Sequence, residues 1–318
     1  MARSNVTLGA ALSTALGAAL FAGNVIAAEA YPNKPVRIVT AQPGGGVDYT
    51  ARVLGQGLAA KYGQSFVIEN RGGAATIPAQ NVSFAAPDGY TLLVHNSTIW
   101  TAPLFETLPE YMADLTPVVL ASRSPNLLVV NPNVAARSVQ ELIALAKANP
   151  GGLNYASGPV GAANYLAAEL FNAMAGVQIV RIGYKGGAPA ISDLIAGQVQ
   201  IMFATIGTVA QHVKSGRLAA LAVTGTEQTP LAPGVPTVAA SGLPGYELIA
   251  IYGLFAPAKT PPAIIASLNK VSREVLAQAD VKERFFTAGM ETGGGSPQEF
   301  GAAVKADIAR VQRIVKKR

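Results

Sequence analysis

Apolar and polar positions follow two rhythms along this chain. Short apolar runs bounded by Gly, Pro, Asn or Asp read as buried strands, and stretches with an apolar residue every three or four positions read as helices. Val36–Val39 is the first strand, and it stops at Pro43 and three consecutive glycines, Gly44, Gly45 and Gly46. Asp48 follows. Val47, Ala51, Leu54 and Leu58 then mark one face of a helix that ends at Gly63. Ser65–Glu69 reads as a strand, Ile77–Ala86 as a short helix, and Pro87-Asp88-Gly89 as a turn. Thr91–Val94 is a third strand, opening into the polar run His95-Asn96-Ser97-Thr98.

Leu115–Arg123 and Asn126–Val130 read as two further strands before a break at Asn131-Pro132-Asn133. Ser138 with Glu141 forms a capping box for the next helix. A second strand–helix series follows. Its strands are Leu153–Ala156, Ile179–Ile182, Val199–Phe203 and Leu218–Val223. Its helices are Asn164–Gly176, Ala188–Ala196 and Val209–Ser215. Its polar loops, 157–161, 184–187 and 205–208, fall where open parallel sheets bind ligands, at strand carboxyl ends. Thr229–Gly245 is a connection rich in Pro and Gly. Leu248–Phe255 is a last strand, followed by helices Pro262–Gln278 and Val281–Ala288 and a terminal helix opening at Ser296-Pro297-Gln298-Glu299.

Two such series predict an α/β fold of two lobes. If the segment after Gly245 returns to the first lobe, the chain crosses twice, which makes a two-stranded hinge with a cleft. The expected limits are a signal peptide at 1–30, lobe 1 at 31–130 plus 248–318, and lobe 2 at 131–247.

Composition narrows the chemistry. The chain has 318 residues, half of them hydrophobic, with no cysteine and two histidines, His95 and His212. That excludes disulfides, thiolate nucleophiles and Cys-based zinc sites, and argues against a multi-histidine metal site. Arg3, an apolar Leu8–Ala22 and the small-x-small run Ala28-Glu29-Ala30 read as a secretory signal cleaved before Tyr31. The mature protein is therefore expected to be soluble and exported. Formal charge is +6. The basic cluster Arg310, Arg313, Lys316, Lys317 and Arg318 reads as a complement to a helix C-terminus, with no aromatic interleaving for nucleic acid.

Strand, glycine loop and helix start together make an anion cradle, because glycine backbone N–H groups are unobstructed and helix N-termini are partly positive. The cradle is no P-loop, lacking Gly-Lys-Ser/Thr, and no dinucleotide fingerprint, lacking G-x-G-x-x-G. Asp48 has two readings, a ligand for an amino or hydroxyl group or a helix N-cap. Asn96, Ser97, Thr98, Ser157, Asn164 and Thr205 are uncharged donors on strand-end loops. Tyr184 reads as a pocket wall, Lys185 as a surface cation, and His95 as a structural histidine rather than a general base.

The stretches YPNKPVRIV, PGGGVDYTAR, VIENRGGA, APDGYTLL, LNYASG, YKGGAPAISDLIAGQVQIMF, GRLAALAVT, GVPTVAASGLPGYE and YGLFAPAKTP occur in order from Tyr31 to Pro261. In these the chain resembles the Bug-type solute receptors of tripartite tricarboxylate transporters. The resemblance implies a type II periplasmic-binding-protein fold. It implies a receptor that captures a small carboxylate-bearing molecule for a membrane permease, and beside it the expectation is no cofactor, no metal and no reaction, with action as a monomer. It also implies opposing pincers: Gly44, Gly45, Gly46 and Asp48 against Ser157, Gly158, Gly161 and Asn164, with Asn96, Ser97, Thr98, Tyr184 and Thr205 lining the rest. The chain departs from the family pattern at Val47, at Ala204, at Gly72–Thr76 and in Pro159–Ala163, changes of pocket lining rather than frame. Two other readings stay open on the residues: an exported α/β hydrolase or transferase using the same loop, and a sensor-associated binding protein.

Overall fold

The computed structural model describes residues 31–72, 76–105, 111–184 and 186–315. The expected signal segment and Lys185 lie outside the described residues. Among the described residues eight strands follow one curled path, two more pair with it from the side, and the whole divides into two sheets. The first sheet holds β2 (Phe66–Asn70), β1 (Val36–Thr40), β3 (Thr91–Asn96) and β9 (Ile249–Pro257), in that order. It ends on the first part of β4 (Leu115–Val130) and on β10 (Glu291–Gly294). The second sheet joins the rest of β4 to β7 (Ile201–Thr205), β5 (Asn154–Ser157) and β6 (Val180–Gly183), with β8 (Ala219–Val223) also on β4.

β4 is therefore one strand where the sequence predicts two. Residues up to Pro125 pair with β9, and residues from Asn126 pair with β7. Pro125 has no N–H to donate, so it sits where the strand exchanges one partner for another. β9 returns to the first sheet and lies antiparallel between β3 and β4. The two-lobed frame with its double crossing is thus present.

Helices cover both faces of each sheet. α1 (Gly46–Tyr62), α8 (Pro262–Leu276) and α9 (Ala279–Thr287) bury Leu54, Leu58, Leu268 and Phe285 against one face of the first sheet. α2 (Ile77–Ser83) and α3 (Thr98–Thr101) help cover the other, around Trp100 and Phe255. In the second sheet α4 (Val139–Ala148) and α5 (Ala163–Ala175) pack one face. α6 (Gly187–Ile195) and α7 (Ile206–Lys214) pack the other.

α10 (Pro297–Val315) opens with the expected reciprocal cap, Ser296 N–H to Glu299 Oε2 at 2.6 Å and Glu299 N–H to Ser296 Oγ at 3.2 Å. It then runs from one lobe onto the other. Phe300 and Val304 sit in the core around Trp100, whereas Val311 packs with Leu243, Tyr246 and Leu248. Arg310 on it donates to Glu247 at 2.7 Å, so that cation is spent on an ion pair rather than on the helix end alone.

Three local differences from the sequence reading matter. Thr98–Thr101 is a helical turn, not open loop. α7 begins at Ile206, so Thr205 is its N-cap and the expected loop 205–208 is mostly its first turn. β10 was not anticipated: it has no apolar residue but pairs with Leu120–Arg123.

Candidate functional site

The carboxyl edges of both sheets meet on β4. In the first sheet Asn96, the end of β3, is level with Tyr252 of β9, and Tyr252 is level with Ser122 of β4. In the second sheet Thr205, the end of β7, is level with Asn126 of β4. Ser122 and Asn126 lie roughly 13 Å apart along the strand. The loops after β1 and β3 thus rise on one side of this crossing, and those after β5, β6 and β7 on the other.

On the first side, the glycine loop is drawn together by a buried carboxylate. α1 starts at Gly46 with Gly45 as its N-cap, so Asp48 stands in the first turn rather than at the cap. Asp48 Oδ1 accepts from Asn70 Nδ2 at 2.8 Å, and Oδ2 accepts from Gly44 N–H and Arg52 Nε at 3.0 Å each. Burial alone would raise its pKa. The hydrogen bonds from Arg52, Asn70 and Gly44 outweigh burial and hold the carboxyl below its ordinary range. Asp48 is consequently a brace, and its acceptor positions are spent within the loop.

Each glycine has its own reason. Gly44 has φ +83°, which only glycine adopts cheaply. A methyl on Gly46 would lie 2.6 Å from Met290 Cε and 2.9 Å from the Tyr252 hydroxyl. A Cβ on Gly45 would meet nothing within 4 Å. Gly45 therefore faces open space beside the first-turn N–H groups of α1, which have no partner within their own helix.

The end of β3 is locked rather than loose. Ser97 is buried and its N–H donates to Ile251 O at 2.9 Å, while Asn96 Oδ1 accepts from Thr98 N–H at 3.3 Å. His95 is buried beside them, and its Nδ1 accepts from Asn96 N–H at 2.9 Å. Burial pushes its pKa down to about 4, so it is neutral at pH 7.

On the second side the brace is a cation. Arg181 Nε donates to Ser157 Oγ at 2.9 Å and Nη2 to Gly158 O at 2.8 Å, with the guanidinium 5.2 Å above the Tyr165 ring. Ser157 is fully buried, and Ser157 O accepts from Tyr184 N–H at 2.9 Å. The expected ligand hydroxyls of Ser157 and Tyr184 are therefore engaged inside the protein, the second by donation to Asp193 Oδ2 at 2.7 Å. Asn164 turns its Oδ1 to the N–H of Tyr165 at 2.9 Å, leaving its amide donors to the loop.

The two sides touch. Thr101 Oγ1 donates to Gly161 O at 3.0 Å, and a methyl on Gly161, at φ +81°, would lie 3.1 Å from Ala102 Cα. Near the crossing, a methyl on Gly207 of α7 would lie 2.8 Å from Ala288 O. The structure thus brings Gly44–Gly46, Asn96–Thr98, Ser157–Asn164, Tyr184 and Thr205 to the two edges that flank β4. Sequence reasoning missed Arg52, Asn70 and Arg181, the residues that shape both loops. Asn70 stood in the quoted VIENRGGA stretch without a role. Arg181 gave a faint signal, a charge in a short strand just before a glycine loop.

A depression of about 680 Å³ lies elsewhere, on the outer face of α8 beside β10, lined by Lys270, Arg273 and Gly293–Gly295. It is open and shares no residue with the strand-end loops. Among the described residues no group of three His, Cys, Asp or Glu side chains is placed to hold a metal ion, and no helix is long and apolar enough to cross a membrane.

The family described as tripartite tricarboxylate transporter family receptor matches residues 50–318. The chain is similar to the protein BugT of Bordetella pertussis, 34% identical over 297 residues, covering 92% of this chain and 91% of that protein. It is similar to the structure of R. palustris Rpa4515 with adipate, with 35% identity and a TM-score of 0.81 over 90% of this chain and 98% of that one. It is also similar to MatC (Rpa3494) from Rhodopseudomonas palustris with bound malate, at 30% identity and a TM-score of 0.77, over 90% of this chain and 100% of that one.

Proposed function

Because the chain belongs to the tripartite tricarboxylate transporter receptor family, we propose that it captures a small dicarboxylate between its lobes and hands it to a membrane permease. One observation carries the choice of ligand class. Among the described residues, the charges that brace the pincers, Asp48, Arg52 and Arg181, are spent on that bracing, so the loops offer neutral N–H donors at the starts of α1 and α5. Such donors hold a carboxylate by directional hydrogen bonds. The similar structures carry adipate and malate, and acids of that range are the class we assign to this chain.

Proteins of this family are periplasmic binding proteins. For this chain the reading adds export by a signal cleaved near Ala30, action as a monomer, and lobes at 31–130 with 248–318 and at 131–247. The exchange of sheets within β4 and the return of β9 support that division. No reaction is part of the reading. His95, the one histidine at the loops, is buried, neutral and unsupported by an acid among its hydrogen bonds, which does not favour general-base chemistry.

The test is thermal stabilisation of the mature protein by a panel of mono- and dicarboxylates that includes malate and adipate. A stabilising, chemically unchanged acid supports the receptor, and turnover of any panel acid by pure protein sinks it. Gly45→Val sharpens the test. Backbone at φ −95° accepts valine and the space around Gly45 is open, so the fold should stand while binding is abolished. Unchanged affinity would leave the loop as a turn only.

A further inference from the structure

We propose that Tyr252 is a ligand-binding residue, its hydroxyl donating to the carboxylate held at the start of α1. This rests on the receptor reading and adds a residue that neither the pattern of strand-end loops nor the sequence pointed to. Three observations support it. The first is position: β9 places Tyr252 level with Asn96 on one side and Ser122 on the other, at the edge of the sheet that faces the second lobe. The second is reach. The hydroxyl ends beside Gly46, 2.9 Å from where a methyl on that residue would stand, at the N-terminus of a 17-residue helix. The third is an unmet bond. The residue is only 7% exposed, and its hydroxyl makes no hydrogen bond to any described residue while not being among the fully enclosed polar atoms, so it opens to solvent. Among the other deeply buried tyrosines, Tyr111, Tyr155 and Tyr246 each donate to a carbonyl or a carboxylate. A hydroxyl that no protein group occupies and that still reaches solvent is free to exchange water for a ligand oxygen.

The surroundings fit a donor and not a base. Burial pushes the Tyr252 phenol up to about 12, so it keeps its proton throughout the neutral range. Met290 packs on the same residue, Gly46, and Ser122 and Thr50 contact the Met290 sulfur at 3.9 Å each. Met290 and the Tyr252 hydroxyl therefore lie side by side under Gly46 at the helix start. The helix N–H groups and the phenol together give the lobe-1 half of the site one side-chain donor of fixed position. Glycine at 46 leaves the hydroxyl room there, since any larger residue would displace it.

The experiment compares the mature chain with Tyr252→Phe, which deletes one oxygen and keeps the ring. Each is titrated calorimetrically with the panel acid that most stabilises the parent, malate and adipate included. About a tenfold loss of affinity is expected, with the ligand-free melting temperature unchanged because the hydroxyl has no hydrogen bond within the protein to lose. Parent and variant affinities within about twofold of each other would overturn the assignment. If no panel acid bound the parent, the receptor reading would fall and this one with it. A fall in ligand-free melting temperature matched by an unchanged affinity would make Tyr252 a packing residue and equally overturn it.

Discussion

The two pincer loops solve one problem with opposite charges. The first, after β1, is gathered by an anion: Asp48 takes Gly44 N–H and the side chains of Asn70 and Arg52. The second, after β5, is gathered by a cation: Arg181 takes Ser157 Oγ and Gly158 O. The carboxylate consumes one loop donor and leaves those of Gly45 onward. The guanidinium consumes loop acceptors and leaves the donors alone. Either way the loop presents N–H groups, and the bracing charge is spent before a ligand arrives. The difference is depth. Asp48 is nearly inaccessible and holds three donors at once, whereas Arg181 is half-buried and lies against an aromatic face. The first loop should therefore be the more costly to break.

Asp48→Ala is the most damaging change expected. It strands the N–H of Gly44 and one of the two amide protons of Asn70, the other still donating to Ala41 O at 2.7 Å, and a charge-assisted network of this kind is worth about 3 kcal/mol at pH 7. Carboxylate affinity should fall by more than about tenfold because the loop opens. The cost should depend on pH. The folded carboxyl titrates below its ordinary 3.8, so its contribution is complete above that value. It is lost as pH falls through the lower folded value. Urea melts of parent and variant should converge in acid, and a gap that persisted there would mean that packing, not charge, holds the loop.

Arg181→Ala should cost less, about 2 kcal/mol, since it removes two hydrogen bonds, leaving the buried Ser157 hydroxyl and the Gly158 carbonyl only their mutual bond at 3.2 Å, and removes the contact with Tyr165. Lysine should rescue little, because two bonds in a fixed fork need a guanidinium. If Arg181→Ala lost stability but kept its affinity for the panel acid, the second loop would be scaffold rather than pincer, and the symmetry drawn above would fail.

Much of the frame is legible in the pattern of residues, and the braces are not, for a physical reason. A strand, a glycine cluster and a helix with Val47, Ala51, Leu54 and Leu58 in register are local signals, and the first loop is built as they suggest. Asp48 meets Asn70 across 22 positions and Arg181 meets Ser157 across 24, distances over which only the closed sheet brings residues together. β4 hides because Ser124-Pro125 reads as a stop, whereas the missing N–H falls where the ladder changes partner. β10 hides because its residues carry no apolar pattern. Gly293 is chosen by crowding instead, since a Cβ there would overlap Leu120. Tyr252 sits in an apolar run whose every residue looks like core.

Gly161→Ala probes where the two loops come together. The residue has φ +81°, and the added methyl would crowd Ala102 Cα of the facing segment. About 1 kcal/mol of backbone strain is expected in any state of the protein. A further loss should appear only in ligand affinity, because the methyl opposes the approach of the lobes at the Thr101–Gly161 contact. Equal losses in melting temperature and in affinity would assign the whole effect to strain within the second loop. An affinity loss larger than the stability loss would place Gly161 at the closing seam.

The smallest effect is expected at Arg52, and it decides how the first brace works. Arg52 and Asp48 are an i,i+4 pair on α1, but the Arg52 side chain is half exposed. Exposed pairs of this spacing contribute about 0.5 kcal/mol. Arg52→Ala should stay near that figure and become undetectable in about 1 M salt, where the Debye length shrinks to about 3 Å. Asn70 and Gly44 would then remain as the neutral donors that hold Asp48, and the comparison with Arg181 would be one of a buried acceptor with a half-buried donor. A loss approaching that of Asp48→Ala would reverse this account. The ion pair would be the brace, the loop would weaken steeply with ionic strength, and both pincers would depend on an arginine.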